Sequence, residues 1–118
     1  MKKILLLLLI TSFFSCDDVI DLVDISSTSV IQLAPVTDAV LDSTTPITFT
    51  WNTMADVESY LLQIATPDFA TATQIISDTI LTTTNFTKDL PVAAYQWRVK
   101  AKNSNYETGF STRNFTVQ

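Results

Sequence analysis

An all-β sandwich is the fold class that this sequence predicts, and three observations carry it. From Ser29 onward no segment keeps a long apolar period of 3.6 residues. Short runs alternate apolar and polar residues instead, as a strand with one buried face requires. Turn residues break those runs every roughly 8–12 positions, the spacing of sandwiches and small barrels. Threonine is abundant and glycine nearly absent, with one Gly in 118 residues. A β-branched side chain packs well on a pleated surface.

The elements follow in order. Residues 30–33 form a first expected strand, ended by Pro35. Residues 47–51 alternate cleanly and turn Ile47, Phe49 and Trp51 inward. A third strand over 59–65 places Tyr60, Leu62 and Ile64 on one face. Residues 74–77 make a weaker fourth, and 84–87 a fifth around Phe86. The strongest alternation runs over 95–102, where Tyr95, Trp97, Val99 and Ala101 share one face. Residues 110–117 close the chain with Phe115 and Val117 inward. Seven strands, expected to be antiparallel, is the count of a small immunoglobulin-like sandwich.

Length and composition bound the rest. A chain of 118 residues is of one-domain size. Three stretches divide it: 1–15, expected to be removed; 16–28, an expected tether; and 29–118, the folded part. Those roughly 90 residues can bury a core without metal or disulfides. The formal charge is −5, and losing Lys2 and Lys3 takes it to −7. So acidic a chain is a poor partner for phosphate backbones, which excludes a nucleic-acid role. There is one Cys and no His. That leaves no internal disulfide, no zinc site of the usual kind and no imidazole for Ser-His-Asp or Cys-His catalysis. With one glycine there is no phosphate-cradling loop. Glu58, Asp68, Asp78 and Glu107 fall in expected loops and strand edges with no motif linking them as a paired acid site. No cofactor or metal is expected, and the chain reads as non-enzymatic.

The N-terminus has its own pattern. Lys2-Lys3 is a positive head, and residues 4–10 are an unbroken apolar run that Phe13-Phe14 extends. This is the layout of a secretory signal. At roughly 11 residues the run is too short to cross a bilayer core of about 30 Å. It ends in Phe13-Phe14-Ser15-Cys16, which resembles the lipobox of bacterial lipoproteins, with Phe13 where Leu is usual and Ser15 where Gly or Ala is commoner. The resemblance implies cleavage before Cys16 and acyl chains, palmitate among them, on Cys16. One acyl chain binds a membrane reversibly, and two or more hold firmly. The following Asp17-Asp18 and the acids at Asp21 and Asp24 resemble the surface-export signals of some outer-membrane lipoproteins. In other bacterial groups an aspartate directly after the cysteine retains the protein at the inner membrane. As a solvated spacer, residues 17–28 reach roughly 40 Å when extended.

The β-region also resembles a family. Trp51 on the second strand, Tyr60 opening the third, Leu90-Pro91, and Tyr95-Gln96-Trp97-Arg98-Val99-Lys100-Ala101 on the sixth are similar to a fibronectin type III domain. The resemblance covers 29–118. It implies two sheets, strands A, B and E facing C, C′, F and G. Leu90 and Tyr95 look like that family's tyrosine corner, one residue shorter than usual, in which the tyrosine hydroxyl bonds upstream backbone. It also implies that the N-terminus lies at the end of the sandwich that carries loops 52–59 and 103–109, which would then face the membrane or a partner embedded in it.

Trp51, Tyr60, Leu90, Tyr95 and Trp97 are expected to be core, because all fall on inward positions. The candidate binding residues are few. Tyr106 is the aromatic of loop 103–109, and Phe69 lies after the third strand. Arg98, Lys100 and Lys102 form a basic stripe on the outer face of the sixth strand, with stems able to cover Leu61. Asn85 and Asn114 sit in Asn-x-Thr triplets. Asp42-Ser-Thr and Asp78-Thr-Ile resemble a bacterial O-glycosylation acceptor pattern, and triplets this short arise easily in a Thr-rich chain. The leading functional expectation is a non-catalytic, lipid-anchored accessory or protein-interaction module of the cell envelope, in contact with another envelope protein at the outer membrane. The alternative is a carbohydrate-binding lipoprotein of a polysaccharide-uptake system. The lipobox, acidic tether and Trp-bearing sandwich resemble the N-terminal region of outer-membrane starch-binding lipoproteins, which continue into further glycan-binding domains.

Overall fold

The computed structural model describes residues 23–118. Cys16, the expected signal at 1–15 and the first part of the expected tether lie outside the described residues. The strands are β1 (Gln32–Ala34), β2 (Ala39–Leu41), β3 (Ile47–Trp51), β4 (Ser59–Thr66), β5 (Gln74–Leu81), β6 (Asn85–Lys88), β7 (Ala93–Lys102) and β8 (Ser111–Val117). They form two sheets, in the orders β1-β3-β6 and β2-β8-β7-β4-β5. This is the A-B-E over C′-C-F-G arrangement, with one strand added at the β8 edge.

That addition corrects the expected count and direction. Eight strands lie among the described residues, and β2 runs parallel to β8, with Ala39 opposite Phe115 and Leu41 opposite Val117. The chain leaves β1 at Pro35, crosses to the other sheet and pairs there for only three residues. A strand this short shows no periodicity of its own. Its partner is also 76 residues away in sequence. A second difference lies in β5, which spans eight residues where four were expected. The pairing of β5 with β4 shifts register between Ile64 and Ala65, so Ile76 has no opposite residue. Such a bulge breaks strict alternation and hides a strand from a period-two reading.

β7 lies between β4 and β8, and its alternation is intact because both flanks pair continuously. Tyr95, Trp97, Val99 and Ala101 enter the core, while Gln96, Arg98, Lys100 and Lys102 face outward. From the opposing sheet β3 supplies Ile47, Phe49 and Trp51. Phe49 meets Trp97 edge-on at 5.2 Å and Phe115 at 5.6 Å. Trp51 meets Tyr60 edge-on at 5.7 Å. Each such pair contributes about 0.5–1.5 kcal/mol beyond the area it buries. The indole N–H groups of Trp51 and Trp97 are buried with no acceptor among the described residues. Leaving an N–H unpaired costs about 1–3 kcal/mol, and burying the large rings offsets it.

The folded part begins before Ser29. Ile25 is 3% exposed and belongs to the core cluster. A turn from Thr28 N–H to the Ile25 carbonyl (3.0 Å) points its side chain inward. The last residues of the expected tether therefore lie on the sandwich.

Tyr95 stacks on Phe115 at 5.3 Å and donates its hydroxyl to the Pro91 carbonyl at 2.6 Å. Burial pushes the Tyr95 phenol above its ordinary value. The folded state holds that proton more tightly than the unfolded chain. Its contribution is thus complete below about pH 10 and disappears as the pH rises through the folded value. Tyr95→Phe should cost about 1 kcal/mol, one net hydrogen bond. Its melting temperature should fall by roughly 5 °C, and its stability should decline less than wild type above about pH 10. Calorimetry across pH 7–11 checks both, and an unchanged mutant would remove the corner as a stabilising contact.

Candidate interaction surfaces

Two surfaces gather the residues singled out in the sequence. One is the outer face of the five-stranded sheet, centred on β7. Arg98 stands there between Gln63 on β4 and Thr112 on β8. Its guanidinium carbon lies 3.9 Å from the Phe69 ring centre and 4.1 Å from that of Phe110. Its Nε donates to Gln63 Oε1 at 2.8 Å. A planar cation between two rings gains from both faces and holds both rings in place.

Phe69 reaches this position because its loop is pinned. Its N–H donates to Gln96 Oε1 at 2.9 Å. Just before it, Asp68 accepts from Thr71 N–H (2.7 Å) and hydroxyl (2.8 Å). The Thr71 N–H, then its hydroxyl, hold the exposed Asp68 carboxyl below its ordinary value. The Gln96 amide in turn donates to Asn114 Oδ1 at 2.8 Å. A shallow cleft of about 380 Å³ runs beside this amide pair, lined in part by Asp68, Gln96, Asn114 and Thr116.

The basic stripe is therefore not uniform. Arg98 is half-buried, with two rings against its guanidinium and its Nε bonded to Gln63. Lys100 lies 4.8 Å from the Phe110 ring centre and pairs with Glu107 at 3.1 Å. With Glu107 half-exposed, that pair is worth at most about 1 kcal/mol. Lys102 is half-buried beside Ser59, and the half-buried Leu61 sits opposite Lys100. Phe69 lies against Arg98 rather than open to solvent, so it is not a free stacking platform.

The second surface is the end of the sandwich carrying the β3–β4 and β7–β8 loops. Asn103, 8% exposed, joins three segments there. Its Nδ2 donates to the carbonyls of Val23 (3.0 Å) and Asp56 (3.1 Å). Its Oδ1 accepts from the N–H groups of Asn105 (3.1 Å) and Tyr106 (2.9 Å). Asp56 takes a positive φ of 65°, a left-handed position that Asp tolerates better than most residues. The Tyr60 hydroxyl fixes the same loop by accepting from Met54 N–H at 3.0 Å. Ser104 reaches across to the Glu58 carboxylate at 3.0 Å. Tyr106 stands on this end and is 36% exposed. The sequence did not single out Asn103, because a lone loop asparagine carries no pattern. The structure brings Tyr106 to the loop end and Phe69, Arg98 and Lys100 to the sheet face, so the candidates fall on two surfaces.

Solved structures share this architecture. Fibronectin(III)-like modules of Clostridium thermocellum CbhA superpose with a TM-score of 0.56, at 11% identity over 75% of this chain and 95% of theirs. A fibronectin type III domain derived from human KIAA0970 protein superposes with a TM-score of 0.55, at 14% identity over 91% of this chain and 85% of its own. No protein-family model matches the sequence, and no curated protein does. At these identities the likeness establishes the fold, a sandwich of the fibronectin type III kind. Such a fold does not by itself define a function.

Asn103→Ala removes four hydrogen bonds of a buried side chain, and should cost about 3 kcal/mol. Amide exchange at 103–109 should rise with it. Unchanged exchange in that loop would show that Asn103 does not hold the end together.

Proposed function

We propose that this chain is a lipoprotein of the bacterial cell envelope, anchored at the outer membrane through lipid on Cys16. Its sandwich serves as a non-catalytic accessory module for another envelope protein. The observation that supports this is the position of Val23. Its carbonyl is bound by Asn103 at the loop end, beside Asp56. From Cys16 to Val23 an extended chain reaches at most about 25 Å. A lipid on Cys16 would hold the loops at 52–59 and 103–109 within that distance of the membrane. Those loops are cross-braced by Asn103, Tyr60 and the Ser104–Glu58 contact, and so present a fixed surface there. A pre-ordered surface loses less entropy on binding.

Metabolic labelling with an alkyne-tagged palmitate should mark the wild-type chain and not Cys16→Ala. The variant should also leave the membrane fraction. A Cys16→Ala chain that stays membrane-bound overturns the anchor. Photo-crosslinkers placed in 52–59 or 103–109 on intact cells should recover one defined envelope protein. The absence of any specific adduct overturns the accessory role.

A further inference from the structure

A sheet edge is a row of unpaired N–H and C=O groups that another strand can complete, and folded proteins commonly blunt it. Three of the four edges here are short and partly covered. β1 is three residues long, and side chains occupy carbonyls on it and just before it: Arg113 Nη1 donates to Leu33 (3.3 Å) and Ser111 Oγ to Val30 (2.6 Å). β2 is also three residues long. β6 has four residues, ends in Lys88, and has its Asn85 carbonyl bonded by the Thr83 hydroxyl at 3.2 Å.

β5 differs. It is eight residues long, pairs only with β4, and contains no Pro, Lys or Arg. Among the described residues no side chain bonds its outer backbone edge. On the outward sheet face it presents Ile80 opposite Leu61, Asp78 opposite Gln63, and Ile75 opposite Ala65. The bulge at Ile76 is what returns Ile75 to this face. Ile75 is 50% exposed and Ile80 65%. The result is an apolar–acidic–apolar row along a free edge.

The row's charge selects the occupant. Asp78 sits near the middle of the strand. A second copy pairing antiparallel about that centre would bring the two Asp78 carboxylates close together, and facing like charges destabilise a strand pair. The chain as a whole is acidic too, at −5. Asp78 receives only the Gln63 amide, at 3.4 Å, and has no cation among the described residues. Arg98, the nearby guanidinium, directs its Nε to Gln63 instead. We propose that β5 takes up an extended segment of a partner protein as an added strand. That segment carries Lys or Arg opposite Asp78, with apolar residues two positions to either side that cover Ile75 and Ile80. Backbone pairing supplies affinity in such complexes, and the alternate side chains supply selectivity. This rests on the accessory-module reading and not on the lipid anchor.

The test uses the full-length chain in detergent micelles with two labelled peptides, acetyl-Thr-Val-Thr-Lys-Thr-Val-Thr-amide and its counterpart with Glu in place of Lys. The Lys peptide should bind, and should protect amides within Gln74–Leu81 from hydrogen exchange. The Glu peptide should bind roughly tenfold more weakly, since an attractive pair becomes a repulsive one. Asp78→Lys should reverse that preference, and Asp78→Asn should abolish it. Three results overturn the proposal: no protection of β5 by either peptide, protection confined to another edge, or protection without peptide that grows with protein concentration, which would make the occupant a second copy. A partner recovered through the loops while β5 stays unprotected would sink the added strand and leave the accessory role intact.

Discussion

The two sheets meet at Phe49. Its ring sits on β3 and contacts Trp97 and Phe115 from the opposing sheet, with Phe86 of β6 beside it at 6.3 Å. One side chain thus ties four strands of two layers around a fully buried centre. Trp51, two residues on, repeats the arrangement nearer the loop end against Tyr60 and Trp97. In a domain of this size the area available for burial is limited, and aromatic rings supply the most area per residue. Everything peripheral hangs on this seam. The Tyr95 corner closes its lower end through Phe115, and the Tyr60 hydroxyl carries its upper end into the β3–β4 loop.

How far the fold could be read beforehand follows from the same seam. Strands that feed it with unbroken alternation, β3, β4 and β7, were legible to within two residues, because a period of two is what a half-buried strand must show. β1, β6 and β8 were placed to within two residues as well, whereas two elements were not. β2 adds its three residues by pairing with a distant strand, and β5 was read only over 74–77, half of its length. Ile25 was assigned to the tether because it continues the stretch of acids that ends at Asp24, yet it fills the core. For the surfaces, the outward placement of Arg98 and Lys100 was legible from β7. Their engagement was not. Phe69, Arg98 and Phe110 are separated in sequence and meet only through tertiary structure. Asn103 acts entirely through backbone groups of other segments, which no side-chain pattern can announce.

The Arg98 stack also weighs on what the sheet face can bind. A sugar platform needs two or three exposed rings in one plane. Phe69 and Phe110 instead turn their faces to the guanidinium between them. Among the described residues Tyr106 is the one aromatic ring with substantial exposure, and it stands at the loop end, apart from that face. A glycan-binding role would therefore have to use the amide cleft beside Gln96 and Asn114, without stacking. Backbone edges and braced loops suit a protein partner better than a polysaccharide.

The proposed anchor and the free edge are related through β4. Tyr60, at its start, lies opposite Leu81 at the end of β5 and opposite Ala101 near the β7–β8 loop. Leu81 is therefore at the loop end where Val23 is bound, and Gln74 is at the far end. At about 3.3 Å per residue, β5 extends roughly 25 Å away from that end. An anchored domain would thus hold Ile80 nearer the membrane and Ile75 farther from it. A strand added along β5 would lie along the sandwich axis, leading from the bilayer outward. That geometry suits a segment emerging from a membrane-embedded protein better than one approaching parallel to the surface. With such an anchor the fixed loop end would have a purpose beyond stability, because bracing by Asn103 would set the direction in which the open edge points.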